Sequence, residues 1–401
     1  MCEYIIENRR TPVKKECDVF VAGGGFAGVS AALAAARMGK RVILADRGYM
    51  LGGLGTAGLI IIFLPLCDGM GNQLCYGICD ELFRLSIKYG AEAEYPANWL
   101  DGGTKEERRT GQRLHVRYNP SIFAISMEQL LLSENVEIMY GSFVCGADMK
   151  DGKISSVIVE NKSGRSAIRA GSFVDATGDF DLGVMAGAPY KVYEPGNILA
   201  AWHYYYEKDG CNLRCLGASD SADEEMLVNR RFSGIDADEV SVMTGMSHKI
   251  ILEDVLRFRK TAPEHSPVTI PTIPQLRMTR RLDGEYTLDE REDGMGFSDS
   301  IGMTGDWRKR GPRFEIPLRT LYSAKVKNLI TAGRSISVTD AMWDITRVIP
   351  PCIITGEAAG IAAALSDDFG TLDAAAVQAR IRETNGRCRF DEIDFGEVCG
   401  G

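Results

Sequence analysis

The sequence lacks several features that would assign it at once. It has no surplus of positive charge: 46 Lys and Arg face 55 Asp and Glu, for a formal net charge of −9. A nucleic-acid backbone needs a positive surface, so that class of partner is set aside, although a local basic pocket stays open. No apolar run reaches membrane length. The longest, Gly58–Leu66, is about half of a span and contains Pro65. The amino-terminal MCEYIIENRRTPVKKE lacks the apolar core of a signal peptide, and the expected compartment is the cytoplasm. Cysteine is not scarce, at 11, but the count is odd and scattered, which fits reduced thiols rather than a disulfide framework. Cys75/Cys79 and Cys211/Cys215 miss the zinc-knuckle spacing, and no metal site is expected.

What is present begins with CDVFVAGGGFAGVSAALAAARMGKRVILADR. Asp18–Ala22 reads as a buried strand, Gly23-Gly24-Gly25-Phe26-Ala27-Gly28 as G-x-G-x-x-G, Ala31–Met38 as helix, and Arg41–Ala45 as a second strand ending at Asp46. Each part has a physical task. Gly23 permits a tight turn, Gly25 lets a pyrophosphate approach the backbone, and Gly28 lets helix and strand pack closely. The helix start offers free N–H groups to phosphates, and Asp46 can accept from a ribose diol. The complete strand–loop–helix–strand–acid unit predicts a bound dinucleotide.

Next comes MLGGLGTAGL, four glycines without a charge, followed by IIIFLPL. The segment resembles the flavin-side glycine loop of flavoproteins of the glutathione-reductase-like superfamily. Further segments extend the resemblance. Val136–Asp175 has the Asp-Gly and Ser-Gly breaks of a three-stranded β-meander, and Ala176-Thr177-Gly178-Asp179 is similar to the ATG-D strand end of FAD proteins. Asn328–Ala332 reads as a strand running into Gly333-Arg334, and Arg347-Val348-Ile349-Pro350-Pro351 precedes a helix. Many flavoproteins carry Gly-Asp where this chain has Gly333-Arg334. The AGR form, with Leu276-Arg277-Met278-Thr279-Arg280-Arg281-Leu282 ahead of it, resembles the bacterial "FAD-dependent oxidoreductase" family.

The resemblance implies FAD as cofactor. It implies contacts from Ala22, Gly23, Gly25, Phe26, Ala27 and Gly28 in the first turn, and from Asp46 and Arg47 after the second strand. Gly52, Gly53, Leu54 and Thr56 would serve in the second loop, with Val144 at the head of the meander. Ala176, Thr177, Gly178 and Asp179, then Gly333, Arg334, Pro351 and Ile354, would complete the set. The disulfide reductases of that superfamily place a cysteine pair directly after the second glycine loop, and Gly52–Leu66 has no cysteine. Electrons are therefore expected to pass directly between flavin and a small, in one version anionic, substrate. No second strand–GxGxxG–helix unit occurs, which leaves the electron donor or acceptor open.

The expected architecture is α/β: a Rossmann-like FAD-binding fold, with a parallel sheet plus β-meander, and an inserted β-rich substrate domain. Residues 1–190 and 313–401 would form the FAD part and 191–312 the substrate part. Within the insertion, Ile198–Tyr206 reads as a strand, Asp236–Lys260 as a helix capped by Asp236 or Asp238, and Glu285–Lys309 as a loop or lid. If Leu276–Leu282 were extended, Arg277, Thr279 and Arg281 would share one face and Arg280 would lie among apolar neighbours. Arg277, Arg280, Arg281 and Arg347 are candidates for an anionic substrate group, with internal ion pairing the competing account. His203 and Tyr204 are candidate proton donors, against a plain core role. Two other readings stay open: a nicotinamide dehydrogenase, and a flavin-bearing RNA-modifying or scaffold protein.

Overall fold

A computed structural model describes residues 5, 7–90, 94–208, 210–217 and 226–395. Most of the first six residues discussed above lie outside it. Strand β1 (Val13–Ala22) is exposed at its start and buried on both faces over Val19–Ala22, as the apolar run requires. Helix α1 (Phe26–Arg37) follows, then β2 (Val42–Ala45). Later come β3 (Glu137–Met139), β4 (Phe143–Lys150), β5 (Lys153–Asn161), β6 (Gly164–Asp175) and β7 (Leu329–Thr331). These strands form one sheet of order β3-β2-β1-β6-β5-β4, with β7 on β6.

Strand β6 joins the two halves of that sheet. Its first half pairs antiparallel with β5, completing the meander. Its last residues, Phe173–Asp175, pair parallel with Leu329–Thr331 of β7, while β1 runs parallel along its other side. Strand ends Ala22, Ala45, Asp175 and Thr331 therefore gather at one edge, where an open α/β sheet receives its ligand.

Helix α2 (Ile349–Leu365) lies on α1. A Cβ on Gly356 would stand 2.0 Å from Ser30 Oγ and 2.3 Å from the Ala27 carbonyl oxygen, and one on Gly360 would stand 2.1 Å from the Ala31 carbonyl oxygen. Glycine at these two positions is what lets the helices touch backbone to backbone. Among the described residues no single helix is long and apolar enough to cross a membrane. The apolar pair Asp340–Thr346 and α2 is bent by 89°, and α2 is covered by protein along nearly its whole length.

Between residues 191 and 312 the chain forms a three-stranded antiparallel sheet, Gly210–Arg214, His203–Glu207 and Ser266–Thr269, and the helix Ala237–Phe258. Asp236 caps that helix, accepting from the Glu239 N–H at 2.8 Å. Three expectations need correction. Ile198–Trp202 is not strand; pairing starts at His203. Leu276–Thr279 is not strand either, because Asn197 Oδ1 accepts from the Arg277 and Met278 N–H groups and Asn197 Nδ2 donates to the Met278 carbonyl, so an amide side chain replaces a neighbouring strand. Only Arg280–Leu282 is strand, paired with Tyr190–Val192. Glu285–Lys309 is not a loop throughout: Ser300–Gly305 is a wholly buried strand against Arg313–Pro317. There Gly302 leaves the room that Ile354 fills, since a Cβ would lie 2.4 Å from the Ile354 Cγ2.

Candidate cofactor and substrate cavity

The two glycine loops lie side by side at the sheet edge. The Gly52 N–H donates to the Gly24 carbonyl at 2.8 Å, and Gly25 and Gly52 form a parallel bridge. In the first loop Gly23 has φ +100°, and a Cβ there would meet the Ala176 carbonyl oxygen at 2.4 Å; one on Gly28 would meet the Gly23 carbonyl oxygen at 1.8 Å. Gly25 differs: nothing stands within 4 Å of its absent Cβ. That side of Gly25 faces a cavity of about 820 Å³, a volume suited to a large ligand.

The second loop rests on aromatic rings. Phe26, Phe63, Tyr118 and Phe123 pack at centroid separations of 4.9 to 6.4 Å. Tyr118 Oη donates to the Gly55 carbonyl at 2.8 Å, and a Cβ on Gly55 would collide with Phe26 at 2.2 Å. Thr56 turns inward and donates to the Leu51 carbonyl at 2.5 Å, so it braces the loop without lining the cavity. The run after it alternates: Ile61 and Phe63 are buried in the core, while Ile60, Ile62 and Leu64 line the cavity.

Asp46 stands at the cavity wall with its carboxylate held by two backbone donors, Gly24 N–H on Oδ2 and Gly48 N–H on Oδ1, each at 2.6 Å. The remaining lone pairs can accept from a diol. Arg47, Tyr49 and Met50 continue the wall. Across from them Ala176, Thr177, Gly178 and Asp179 line it, beside Gly333 and Arg334.

Arg334 ties three segments together. Its Nε donates to the Gly178 carbonyl at 2.7 Å, Nη1 to the Leu276 carbonyl at 3.0 Å and Nη2 to Asp179 Oδ1 at 2.7 Å. Thr279 Oγ1 also donates to Asp179 at 2.7 Å. Burial pushes the Asp179 carboxyl up, but the Arg334 charge and these hydrogen bonds outweigh it and hold the group below the usual carboxylate range. The replacement of Gly-Asp by Gly-Arg thus answers an acid on the neighbouring strand end.

The start of α2 closes the cavity through Val348, Ile349 and Cys352. Pro350 and Pro351 have no N–H, which leaves few donors at this helix start. Burial pushes the Cys352 thiol to about 12, so it is a neutral thiol. Trp202, Trp307, Thr272–Pro274, Leu276, Arg277 and Arg347 also line it.

Of the residues expected at the cofactor, Gly23, Gly25, Phe26, Ala27, Asp46, Arg47, Gly52, Gly53, Leu54, Ala176–Asp179, Gly333 and Arg334 line this one cavity. Ala22, Gly28, Thr56, Val144, Pro351 and Ile354 do not; Ala22 and Gly28 support the first turn, Val144 sits in the meander on Val159, and Ile354 packs over Gly302. Of the candidates for chemistry only Arg277 and Arg347 reach the cavity. Arg280 pairs with Asp181 at 2.5 Å, and Arg281 pairs with Asp340 at 2.6 Å and covers the Trp343 ring. His203 is fully buried, its Nε2 4.0 Å from Asp254, and burial lowers its pKa below the ordinary value. Tyr204 is buried in the core. Sequence reading missed Ile60, Ile62, Leu64, Trp202 and Trp307. The alternation of the first three is hidden because both of its faces are apolar.

A family model described as FAD dependent oxidoreductase matches residues 18–199 and 196–381. The chain belongs to that family. It is an FAD-dependent oxidoreductase, and the nicotinamide alternative falls. Similar solved structures include p-nitrophenol 4-monooxygenase PnpA from Pseudomonas putida DLL-E4, at 14% identity over 92% of this chain and 84% of that one, TM-score 0.47. A geranylgeranyl bacteriochlorophyll reductase-like protein from Thermoplasma acidophilum is 13% identical over 92% and 82%, TM-score 0.41. The myxobacterial chondrochloren halogenase CndH is 15% identical over 92% and 79%, TM-score 0.44. Likeness at this level carries nothing about substrate or reaction. No match was found among curated proteins.

Proposed function

We propose that FAD lies extended along the cavity, its pyrophosphate against Gly23–Ala27 and its adenosine ribose on Asp46, and that hydride passes between its ring and a small organic substrate held at the Trp202–Trp307 end. The observation that carries the reading is the continuity of one cavity from the open side of Gly25, past Gly52 and Gly53, to that apolar end. When bound, the flavin supplies two-electron chemistry. The chain's own residues bind, orient and exclude water. Gly53 and Leu54 border the ring space, Ile60, Ile62 and Leu64 keep it dry, and Arg277 and Arg347 face a substrate that can be anionic. Neither His203 nor Tyr204 lines the cavity, so neither is placed to move a proton there.

The division at 190 and 312, the cytoplasmic setting and a place in the glutathione-reductase-like superfamily belong to the same proposal. The sheet with its meander and the order of the motifs support the last. Anaerobic mixing of the holoenzyme with protio and deutero forms of a substrate tests the hydride step. A primary isotope effect on flavin bleaching is expected; bleaching at equal rates would count against hydride transfer as the rate-determining event.

A further inference from the structure

The two ends of the cavity differ in charge and polarity. Asp46 and Arg47 stand beside the first glycine loop, and the paired Asp179 and Arg334 bridge from the strand end to the Leu276 carbonyl. The remaining described lining residues include no Asp, Glu, His or Lys. Among the described residues the wall of the other end includes Ile60, Ile62, Leu64, Trp202, Ile273 and Trp307, with Thr272 and Cys215, and carries the charges of Arg277 and Arg347.

Trp307 and Arg347 are mounted together. Trp307 Nε1 donates to the Asp344 carbonyl at 2.8 Å, and Arg347 Nε donates to the Asp344 carboxylate at 3.0 Å, as does its Nη2. Asp344 is not part of the lining. It steadies both side chains from behind, and the Arg347 Nη1 edge makes no hydrogen bond among the described residues. A second carbonyl clamp holds the Trp307 backbone, whose oxygen accepts from Arg113 Nη1 at 2.9 Å. One hydrogen-bonded unit thus offers an indole and a guanidinium edge to the same space.

Chemistry narrows what can enter. A cationic group would meet two arginines in low dielectric, and among the described lining residues near them the one carboxylate, Asp179, is already paired with Arg334. A polyhydroxylated molecule would leave most of its hydroxyls unpaired against isoleucine, leucine and tryptophan. A flat apolar body gains from burial against these side chains, and one carboxylate finds a charge-assisted partner in the free guanidinium edge. We propose that the substrate is an aromatic carboxylate, its ring system among Ile60, Ile62, Trp202 and Trp307 and its carboxylate on Arg347, with Arg277 as a second positive charge. This rests on the FAD placement above, which assigns the glycine-loop end to the cofactor.

The test uses FAD-loaded holoenzyme with 2-naphthoate, the matched cation 2-naphthylmethylamine and the polar anion gluconate. Flavin absorbance and tryptophan fluorescence are read together. Saturable perturbation by 2-naphthoate is expected, at about tenfold or more below the concentrations the other two need. Arg347→Gln should weaken 2-naphthoate about tenfold at unchanged flavin content, and Arg347→Lys should recover part of the loss. Arg280→Gln, outside the cavity, should leave it unchanged. Equal binding of the three probes, silence of 2-naphthoate on flavin-loaded protein, or indifference to Arg347→Gln would each overturn this proposal alone. A protein that cannot be loaded with FAD would overturn it together with the cofactor placement.

Discussion

At the scale of single residues, the account turns on polar groups whose partners can be named. Asp46 is aimed by two backbone N–H donors and lies at the cavity wall. Asp46→Ala should weaken FAD binding by about 1 to 2 kcal/mol, roughly five- to thirtyfold in Kd, read by flavin fluorescence titration of stripped protein. Arg334 is the charge partner of a buried acid. Arg334→Ala strands Asp179 and should cost about 3 to 5 kcal/mol in urea unfolding, whereas the double change with Asp179→Asn should recover a measurable part. The acid Asp46 was legible from its place after the second strand. The task of Arg334 was not, because its three acceptors lie at Gly178, Asp179 and Leu276, far away in the sequence. For His203 and the arginines at 280 and 281 the sequence left chemistry and internal pairing side by side, because only the fold shows Asp254, Asp181 and Asp340 near them.

At the scale of elements, close approach of backbones decides what the sequence tolerates. The first strand–loop–helix–strand unit was readable because its signals are local: glycine spacing, an apolar strand, an alanine-rich helix. The meander was readable from its Asp-Gly and Ser-Gly turns, and both turns carry glycines with positive φ, Gly152 at +77° and Gly164 at +87°. Leu276–Thr279 was unreadable, since Asn197 imitates a strand from about 80 residues away in the chain. Gly356 and Gly360 are poor choices for an ordinary helix, and their reason is α1. Gly360→Val would drive a Cβ into the Ala31 carbonyl oxygen and should lower stability by about 3 kcal/mol, seen as a fall in Tm and loss of bound flavin together. The same substitution at Gly370, where the nearest atom is a side-chain oxygen 3.5 Å away, should change Tm little.

At the scale of the whole molecule, two buried carboxyls set the response to pH. Burial raises Asp175 to about 6 and Glu357 to about 7. Glu357 makes no ion pair among the described residues; it accepts from the Ile78 N–H and from Thr384 Oγ1, and burial outweighs these bonds and the Arg37 charge. A folded pKa above the unfolded one means the native state keeps a proton that the unfolded chain releases. Stability from these groups is therefore full below about pH 4 and falls as pH rises through 6 and 7. Asp179, held low, acts in the opposite sense and loses its contribution only in acid. Glu357→Gln should match the wild type near pH 4 and exceed it above pH 7 by up to about 3 kcal/mol, checked by urea midpoints across that window. A difference that does not grow with pH would show that Glu357 ionises freely in the folded protein.

The account as a whole depends on a long diphosphate nucleotide lying where Gly25 leaves the cavity open. Measure FAD uptake by stripped wild-type protein and by Gly25→Val, with circular dichroism to show that both are folded. The branched side chain would project into space where the fold itself has no atom within 4 Å, so folding should survive and flavin should not bind. One FAD per wild-type chain and a folded, colourless variant is the predicted result. A variant that takes up FAD as tightly as the wild type would contradict it.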